Sequence, residues 1–212
     1  MSKFQRLATG LAAAAVTGTA LLAPPAQAAP AEKAQGNRSL AKVLAADGTR
    51  FDHRWGDFDI TEAAVLAVLK AKPDSPVGLL TKGGQRATAF VPTDAAFRHL
   101  VHDLTGKAPR TEKATFEAVA GIGIDTVETV LLYHVVAGKT LTSDKVVASA
   151  GTPIATAAGK TFRVEIRKGD VVIVDKDFSD VNARAIPALL DLNKGNKQVA
   201  HGINRVLRPL DL

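Results

Sequence analysis

Two histidines, His99 and His102, stand three residues apart on a stretch with helical apolar spacing, which is the first pattern here that suits metal or haem chemistry. On a helix they share the outer face, opposite Phe97 and Leu100. Two imidazoles so placed can meet one Zn²⁺ or haem iron, but a site needs further ligands in an ordered geometry. Asp103 is adjacent and nothing else gathers in the sequence, so no cofactor and no metal are expected. Small-ligand or haem binding at this pair stands as the alternative reading. Serine, histidine and aspartate are present, but no Gly-x-Ser-x-Gly elbow positions a nucleophile. Asp57 and Asp59 flank Phe58 and read as surface and capping residues, since glycosidase chemistry needs an enclosed cleft around a carboxyl pair. The chain has no cysteine, which removes disulfides, thiolate metal sites and a cysteine nucleophile together. The expectation is a protein that works without catalysis.

Charge gives a weaker lead. Lys plus Arg number 27 against 21 Asp plus Glu, a net charge of +6, with no dense basic block of the kind that binds nucleic acid. Arg50, Arg54, Arg163, Arg167, Lys168, Arg205 and Arg208 are candidates for a face that attracts anions, with acidic cell-envelope polysaccharide as the partner. Arg163 and Arg167 share one side of a predicted strand and are the named candidates for binding. The interspersed acids fit an ordinary solvated surface equally well. Trp55, the one tryptophan, is expected to anchor the N-terminal leader against the core rather than stack on a sugar.

The N-terminus reads as a targeting segment. Lys3 and Arg6 precede an Ala-rich apolar run, and Ala26-Gln27-Ala28 fits a small-x-small cleavage site. Residues 1–28 are therefore expected to be a signal peptide, because the run is short for a hydrocarbon core of ~30 Å. No later segment is apolar enough to span a membrane, so the cleaved product is expected to be secreted and not an integral membrane protein. Residues 29–39 are small, polar and aperiodic, and read as a flexible leader. Asn37-Arg38-Ser39 matches a glycosylation acceptor, relevant only in a eukaryotic secretory route.

Residues 40–212 read as one domain, and 46% hydrophobic with 23% charged residues is a globular balance. Aromatics are only 5%, so the core must come mainly from Val, Leu, Ile and Ala. Asp59-Ile60-Thr61-Glu62 resembles a capping box opening a helix to about Lys70. Residues 85–91 read as a strand ended by Pro92. Thr93 caps the next helix, with Asp94 in its first turn and Phe97, Leu100, Val101 and Leu104 along one stripe. Thr111 opens another helix, and Asp125 with Glu128 a further one. In that last helix Val127, Val130, Leu131 and His134 fall on one inward stripe, so His134 is expected to be buried and hydrogen-bonded. Tyr133, about 100° away around the helix, is expected to be more exposed.

Residues 161–167 alternate, with Phe162, Val164 and Ile166 facing inward. Lys168-Gly169-Asp170 turns the chain into a second strand. Pro187 stands at a first helical position, and residues 199–207 read as a closing strand. Helices dominate early and strands late, an α+β pattern.

Three segments carry a resemblance. Ala89-Phe90-Val91-Pro92-Thr93-Asp94-Ala95-Ala96-Phe97 runs a strand through Pro-Thr-Asp into a helix. Leu131-Leu132-Tyr133-His134-Val135-Val136 contains a Tyr-His pair. His201-Gly202-Ile203-Asn204-Arg205-Val206-Leu207-Arg208-Pro209 looks like a closing strand. In order and spacing they resemble the signatures of the fasciclin domain family, over about residues 40–209. The resemblance implies a compact β-wedge or sandwich with helices packed around it. It implies extracellular adhesion, with another protein or an envelope polymer as partner. It makes Pro92, Thr93, Asp94, Phe97 and His134 motif residues, and associates Tyr133 and His134 with adhesion. Because the first two signatures pack together in the family, Thr93 or Asp94 is the expected partner of His134. The closing strand departs from the family pattern in carrying Gly-Ile-Asn where an Ile-His pair stands. Residues 175–198 are longer than usual, and no Arg-Gly-Asp sequence is present.

Overall fold

The computed structural model describes residues 34–46, 48 and 51–209. The targeting segment and Arg50 lie outside the described residues, as do residues 29–33 of the expected leader. Residues 34–39 depart from the flexible reading. Gly36 donates its N–H to Gly195 O at 2.9 Å and accepts Lys197 N–H at 2.9 Å, so the chain is already laid against the domain. Ser39 Oγ then accepts Lys42 N–H at 3.4 Å and caps α1 (Leu40–Leu44).

The longer helices are α2 (Asp59–Ala71), α3 (Asp94–Thr105), α4 (Glu112–Gly121) and α5 (Ile124–Tyr133), with a short α6 (Ser143–Ala148). The strands are β1 (Ala87–Pro92), β2 (Val135–Ala137), β3 (Pro153–Ala155), β4 (Thr161–Arg167), β5 (Asp170–Val174), β6 (Ala183–Arg184) and β7 (Gln198–Ile203). Pro76–Thr81 is a six-residue 3-10 helix, and Pro187–Leu189 a single 3-10 turn with Pro187 at its first position. Thr111 caps α4 as expected, its Oγ1 accepting Ala114 N–H at 3.1 Å. Asp59 does not cap α2 but is its first helical residue. The cap comes from another element, where Asp94 Oδ1 accepts Ile60 N–H at 2.9 Å.

The strands form two sheets, and the chain is α+β. One sheet has the order β2-β1-β7, with β1 antiparallel to β2 and parallel to β7. The other is the antiparallel sheet β3-β4-β5-β6. Lys168 and Gly169 join β4 to β5 with φ of 52° and 89°. Positive φ at both central positions suits the right-handed twist of a hairpin.

The period of two along β1 explains the layering. Ala87, Ala89 and Val91 face a core shared with the helices, made of residues such as Val68, Phe97, Leu100 and Leu131. Phe90 faces the opposite way, into a second core with Tyr133, Phe162, Val164, Ile173 and Ile203. In that second core three aromatic rings meet. Phe90 and Phe162 meet edge-on at 5.1 Å, and Tyr133 and Phe162 at 6.3 Å, geometry worth about 0.5–1.5 kcal/mol per pair beyond burial. Ile166 breaks the inward pattern of β4 and is 44% exposed, because the strand has passed the edge of this core.

Buried signature residues and the exposed surface

Where α5 ends, Tyr133 and His134 are both buried. His134 N–H bends to Leu131 O at 3.1 Å. Val130 O therefore loses its helical amide partner and faces the imidazole Nδ1 at 2.7 Å. The ring's other nitrogen, Nε2, accepts Leu207 N–H at 2.8 Å. Nδ1 must carry the proton, so the neutral imidazole is satisfied on both sides. Burial lowers its pKa to about 4, with the Val130 carbonyl opposing. The main chain of the same residue reaches β1, its carbonyl accepting Phe90 N–H at 2.9 Å. The structure thus corrects the expected partner. The imidazole joins Val130 and Leu207, not Thr93 or Asp94.

Tyr133 also departs from expectation, since it is buried rather than exposed. The helix stops at this residue, and the second core encloses the side that a continuing helix would turn to solvent. Its hydroxyl donates to Thr161 O at 3.0 Å, and burial pushes the phenol's pKa up. In this fold neither side chain of the Tyr-His pair is offered to a partner.

Pro92, Thr93, Asp94 and Phe97 are buried together. Thr61 Oγ1 donates to Pro92 O at 2.9 Å, and Thr93 N–H donates to Ile203 O at 3.1 Å. Thr93 stands at the cap position of α3 without a side-chain cap bond. The loop of residues 51–58 closes over that helix start instead. Asp57 O accepts Asp94 N–H at 3.1 Å and Trp55 O accepts Ala95 N–H at 2.9 Å. Arg98 lies over the Trp55 ring, 4.9 Å from its centroid, so Trp55 fastens this loop rather than the leader. Burial pushes the Asp94 carboxyl up to about 8, helped by Asp57 and by the charge of Glu112 and opposed by the Ile60 amide.

The remaining candidates do not assemble into reactive sites. His99 and His102 are exposed on α3, and His102 Nδ1 lies 3.6 Å from Asp103. Among the described residues, neither histidine belongs to a cluster of three metal-ligating groups. Ser143 Oγ donates to Asp191 Oδ2 at 2.7 Å, but His201 does not complete a triad. Its Nδ1 accepts Asp191 N–H at 3.3 Å and its Nε2 faces Leu141 O at 2.8 Å.

The basic face is likewise smaller than the sequence suggested. Arg163 and Arg167 do project from the outer side of β4, but Arg167 is paired with Glu165 at 2.7 Å. Arg54 pairs with Asp52 at 3.3 Å. Arg208 is buried, reaching Asp177 at 2.9 Å, Asp103 at 3.0 Å and Asp180 at 3.2 Å.

That buried arginine organises the loop between β5 and β6. Asp175 Oδ2 accepts Arg208 N–H at 2.7 Å, and Asp175 Oδ1 accepts Asp177 N–H at 3.1 Å. Asp177 Oδ1 accepts from both Ser179 N–H and Ser179 Oγ, at 2.9 and 2.7 Å. Such side-chain-to-backbone bonds fix local turns. On this framework Phe178 is 82% exposed and Val181 66% exposed. The sequence marked residues 175–198 only as a long stretch and singled out neither side chain.

A fasciclin domain model matches residues 64–209, more than half of the sequence. The chain belongs to the fasciclin domain family. Fasciclin domains are in general adhesion-related, extracellular and non-catalytic. The chain is also similar to the solved FAS1 domain pair from the insect cell adhesion molecule fasciclin I, with 19% identity and a TM-score of 0.49. That similarity covers 70% of this chain and 46% of the other, so the chain spans about half the length of the structure it matches. No curated protein matches the sequence. Among the described residues, no helix of this fasciclin domain is long and apolar enough to cross a membrane.

Proposed function

We propose that this fasciclin domain is secreted and acts by binding rather than by chemistry, joining an extracellular protein or a cell-envelope polymer through the loop of residues 175–182. The observation that carries this reading is the exposure of Phe178 and Val181 on a loop tied down by Arg208 and Asp177. Exposed apolar side chains that are held in place suit insertion into a pocket of a partner, where buried aromatics supply much of the binding energy. An adhesion-type family supports the same reading. A protein partner is favoured over an acidic polysaccharide, because Arg167 is already engaged by Glu165 on the same strand, β4. Secretion rests on the tripartite pattern of residues 1–28.

The test is retention of the purified domain on the cell-envelope fraction of its source organism. Phe178→Ser with Val181→Ser should abolish retention at unchanged thermal stability, while added salt and Arg163→Glu should leave it nearly intact. Retention that survives the double substitution, but is lost in salt and in Arg163→Glu, would replace the apolar contact with the electrostatic one.

A further inference from the structure

Three helices begin around one point. Asp59 starts α2, Asp94 starts α3 and Glu112 starts α4. Asp57, from the loop over α3, joins Asp94 and Glu112, each bringing a carboxylate oxygen within 4.8 Å of the other two. Asp94 and Glu112 are completely buried. Each has one oxygen fixed by a backbone amide, Asp94 Oδ1 by Ile60 N–H at 2.9 Å and Glu112 Oε2 by His53 N–H at 3.0 Å. The second oxygens, Asp94 Oδ2 and Glu112 Oε1, are buried and meet no hydrogen-bond donor.

Helix N-termini favour acids in the first turn, which accounts for carboxylates starting these helices. It does not supply a partner for the two orphaned oxygens, because the fixing amides are spent on the other oxygen of each group. Among the described residues, no lysine or arginine forms an ion pair with Asp94 or Glu112. Carboxyls buried together without an outside donor either share a proton, as Asp94 and Asp57 do in the metal-free protein, or coordinate a metal.

We infer that Asp57, Asp94 and Glu112 form a Ca²⁺ site, with Asp94 Oδ2 and Glu112 Oε1 as its buried ligands. Two oxygens bound to one Ca²⁺ at roughly 2.4 Å each lie at most about 4.8 Å apart, and the oxygens of this cluster fall within that limit. A donor set made of carboxylate oxygens selects a hard cation over zinc or copper. Ca²⁺ tolerates irregular geometry, whereas Mg²⁺ demands a near-octahedral shell and keeps several waters, for which two completely buried ligands leave little room. A second group, Asp52, Asp57 and Asp59, also brings carboxylate oxygens within 4.8 Å of one another and runs from exposed Asp52 to buried Asp59. It shares Asp57 with the site and gives a cation an acidic route inward from the surface. The bound ion would fasten residues 51–58 to the starts of α3 and α4.

The experiment uses the full secreted protein after treatment with a chelator. Terbium is added as a probe and excited through Trp55, whose carbonyl is bonded to Ala95 N–H beside the site. Sensitised terbium emission is expected. Ca²⁺ should quench it by competition and raise the unfolding temperature by several degrees, with affinity on the order of 10⁻⁴–10⁻³ M as for extracellular modules. Asp94→Asn and Glu112→Gln, which keep the side-chain shape, should each weaken terbium binding by more than about tenfold, since losing even a group that only orients a ligand costs that much. Asp52→Asn at the mouth should change it little. No sensitised emission and no thermal shift in the unsubstituted protein at millimolar Ca²⁺ would overturn the assignment, leaving a shared proton to bind the carboxyls together. A thermal shift given by Mg²⁺ and not by Ca²⁺ would overturn it too. Both readouts come from the unsubstituted protein, so a variant that fails to fold does not blunt the test.

Discussion

Replacing His134 by alanine perturbs two hydrogen bonds and a titration at once, and the two can be separated. At neutral pH the imidazole accepts Leu207 N–H and donates to Val130 O. Alanine leaves the buried Leu207 N–H without a partner, which costs about 1–3 kcal/mol, and opens a cavity where the ring stood. A loss of about 2–4 kcal/mol is expected at pH 7.5, a large part of a typical ~5–15 kcal/mol stability.

The pH dependence gives a sharper check. The folded pKa of about 4 lies below the ordinary 6.5, so between those values the unfolded chain binds the extra proton. The histidine's favourable contribution is complete above pH 6.5 and is lost as pH falls through 6.5 toward 4. The full window is worth about 3 kcal/mol. His201 is also lowered and Asp175 is raised to about 6, but both remain in the variant and cancel in the difference. Urea denaturation of both proteins at pH 7.5 and at pH 4 should therefore show the stability gap closing as pH falls. A variant that keeps parental stability at pH 7.5, or a gap constant across that range, would refute the buried neutral-imidazole account. Loss of adhesion at unchanged stability would make His134 a contact residue instead.

Tyr133→Phe removes only the hydroxyl bond to Thr161 O and should cost about 1 kcal/mol, while Tyr133→Ala should cost about 3–5 kcal/mol; both are read by chemical denaturation, and a neutral Tyr133→Ala would mean the side chain is not in the second core. Gln198 is completely buried, with Oε1 accepting Leu40 N–H at 2.8 Å and Nε2 donating to Leu79 O at 2.8 Å and Lys82 O at 3.1 Å. Gln198→Leu strands the Leu40 N–H, while Leu79 O and Lys82 O keep Lys82 N–H and Gln85 N–H at 3.0 and 2.9 Å, and should cost about 1–3 kcal/mol, with faster amide exchange at Leu40 as the local sign.

What the sequence displays depends on how local the cause is. The turn at Lys168-Gly169, the Thr111 cap and the alternation of Phe162 and Val164 are set by neighbours within a few residues, and they are where the reading places them. The inward direction of His134 is also local, because Val127 and Leu131 fix the stripe. Its partner is not, since Leu207 lies 73 residues away. Tyr133 misleads for a related reason. Helical angle predicts exposure only while the helix continues and only one core exists. Gln198 and Arg208 are of residue types usually found at the surface. Arg208 is buried because Asp177 and Asp103, 31 and 105 residues away, are brought to it. Among the acids, Asp94 reads as a first-turn residue and Glu112 carries no signal of its own, and no spacing in the sequence places them together.

The three signature segments are bonded to one another, and that arrangement bears on where adhesion can reside. His134 O accepts Phe90 N–H, His134 Nε2 accepts Leu207 N–H, and Ile203 O accepts Thr93 N–H. Each segment thus holds the other two, and the residues that mark the family are consumed in closing the two cores. A binding surface has to be sought on what these segments support. Arg208 belongs to the closing signature and reaches outward into residues 175–182 through Asp177 and Asp180. The loop that exposes Phe178 is thereby braced by the same strand end that receives the His134 bond. A contact residue fixed before the partner arrives loses less conformational entropy on binding than one on a free loop. Under the function proposed above, the buried signature acts on binding through rigidity, and the exposed loop supplies the contact.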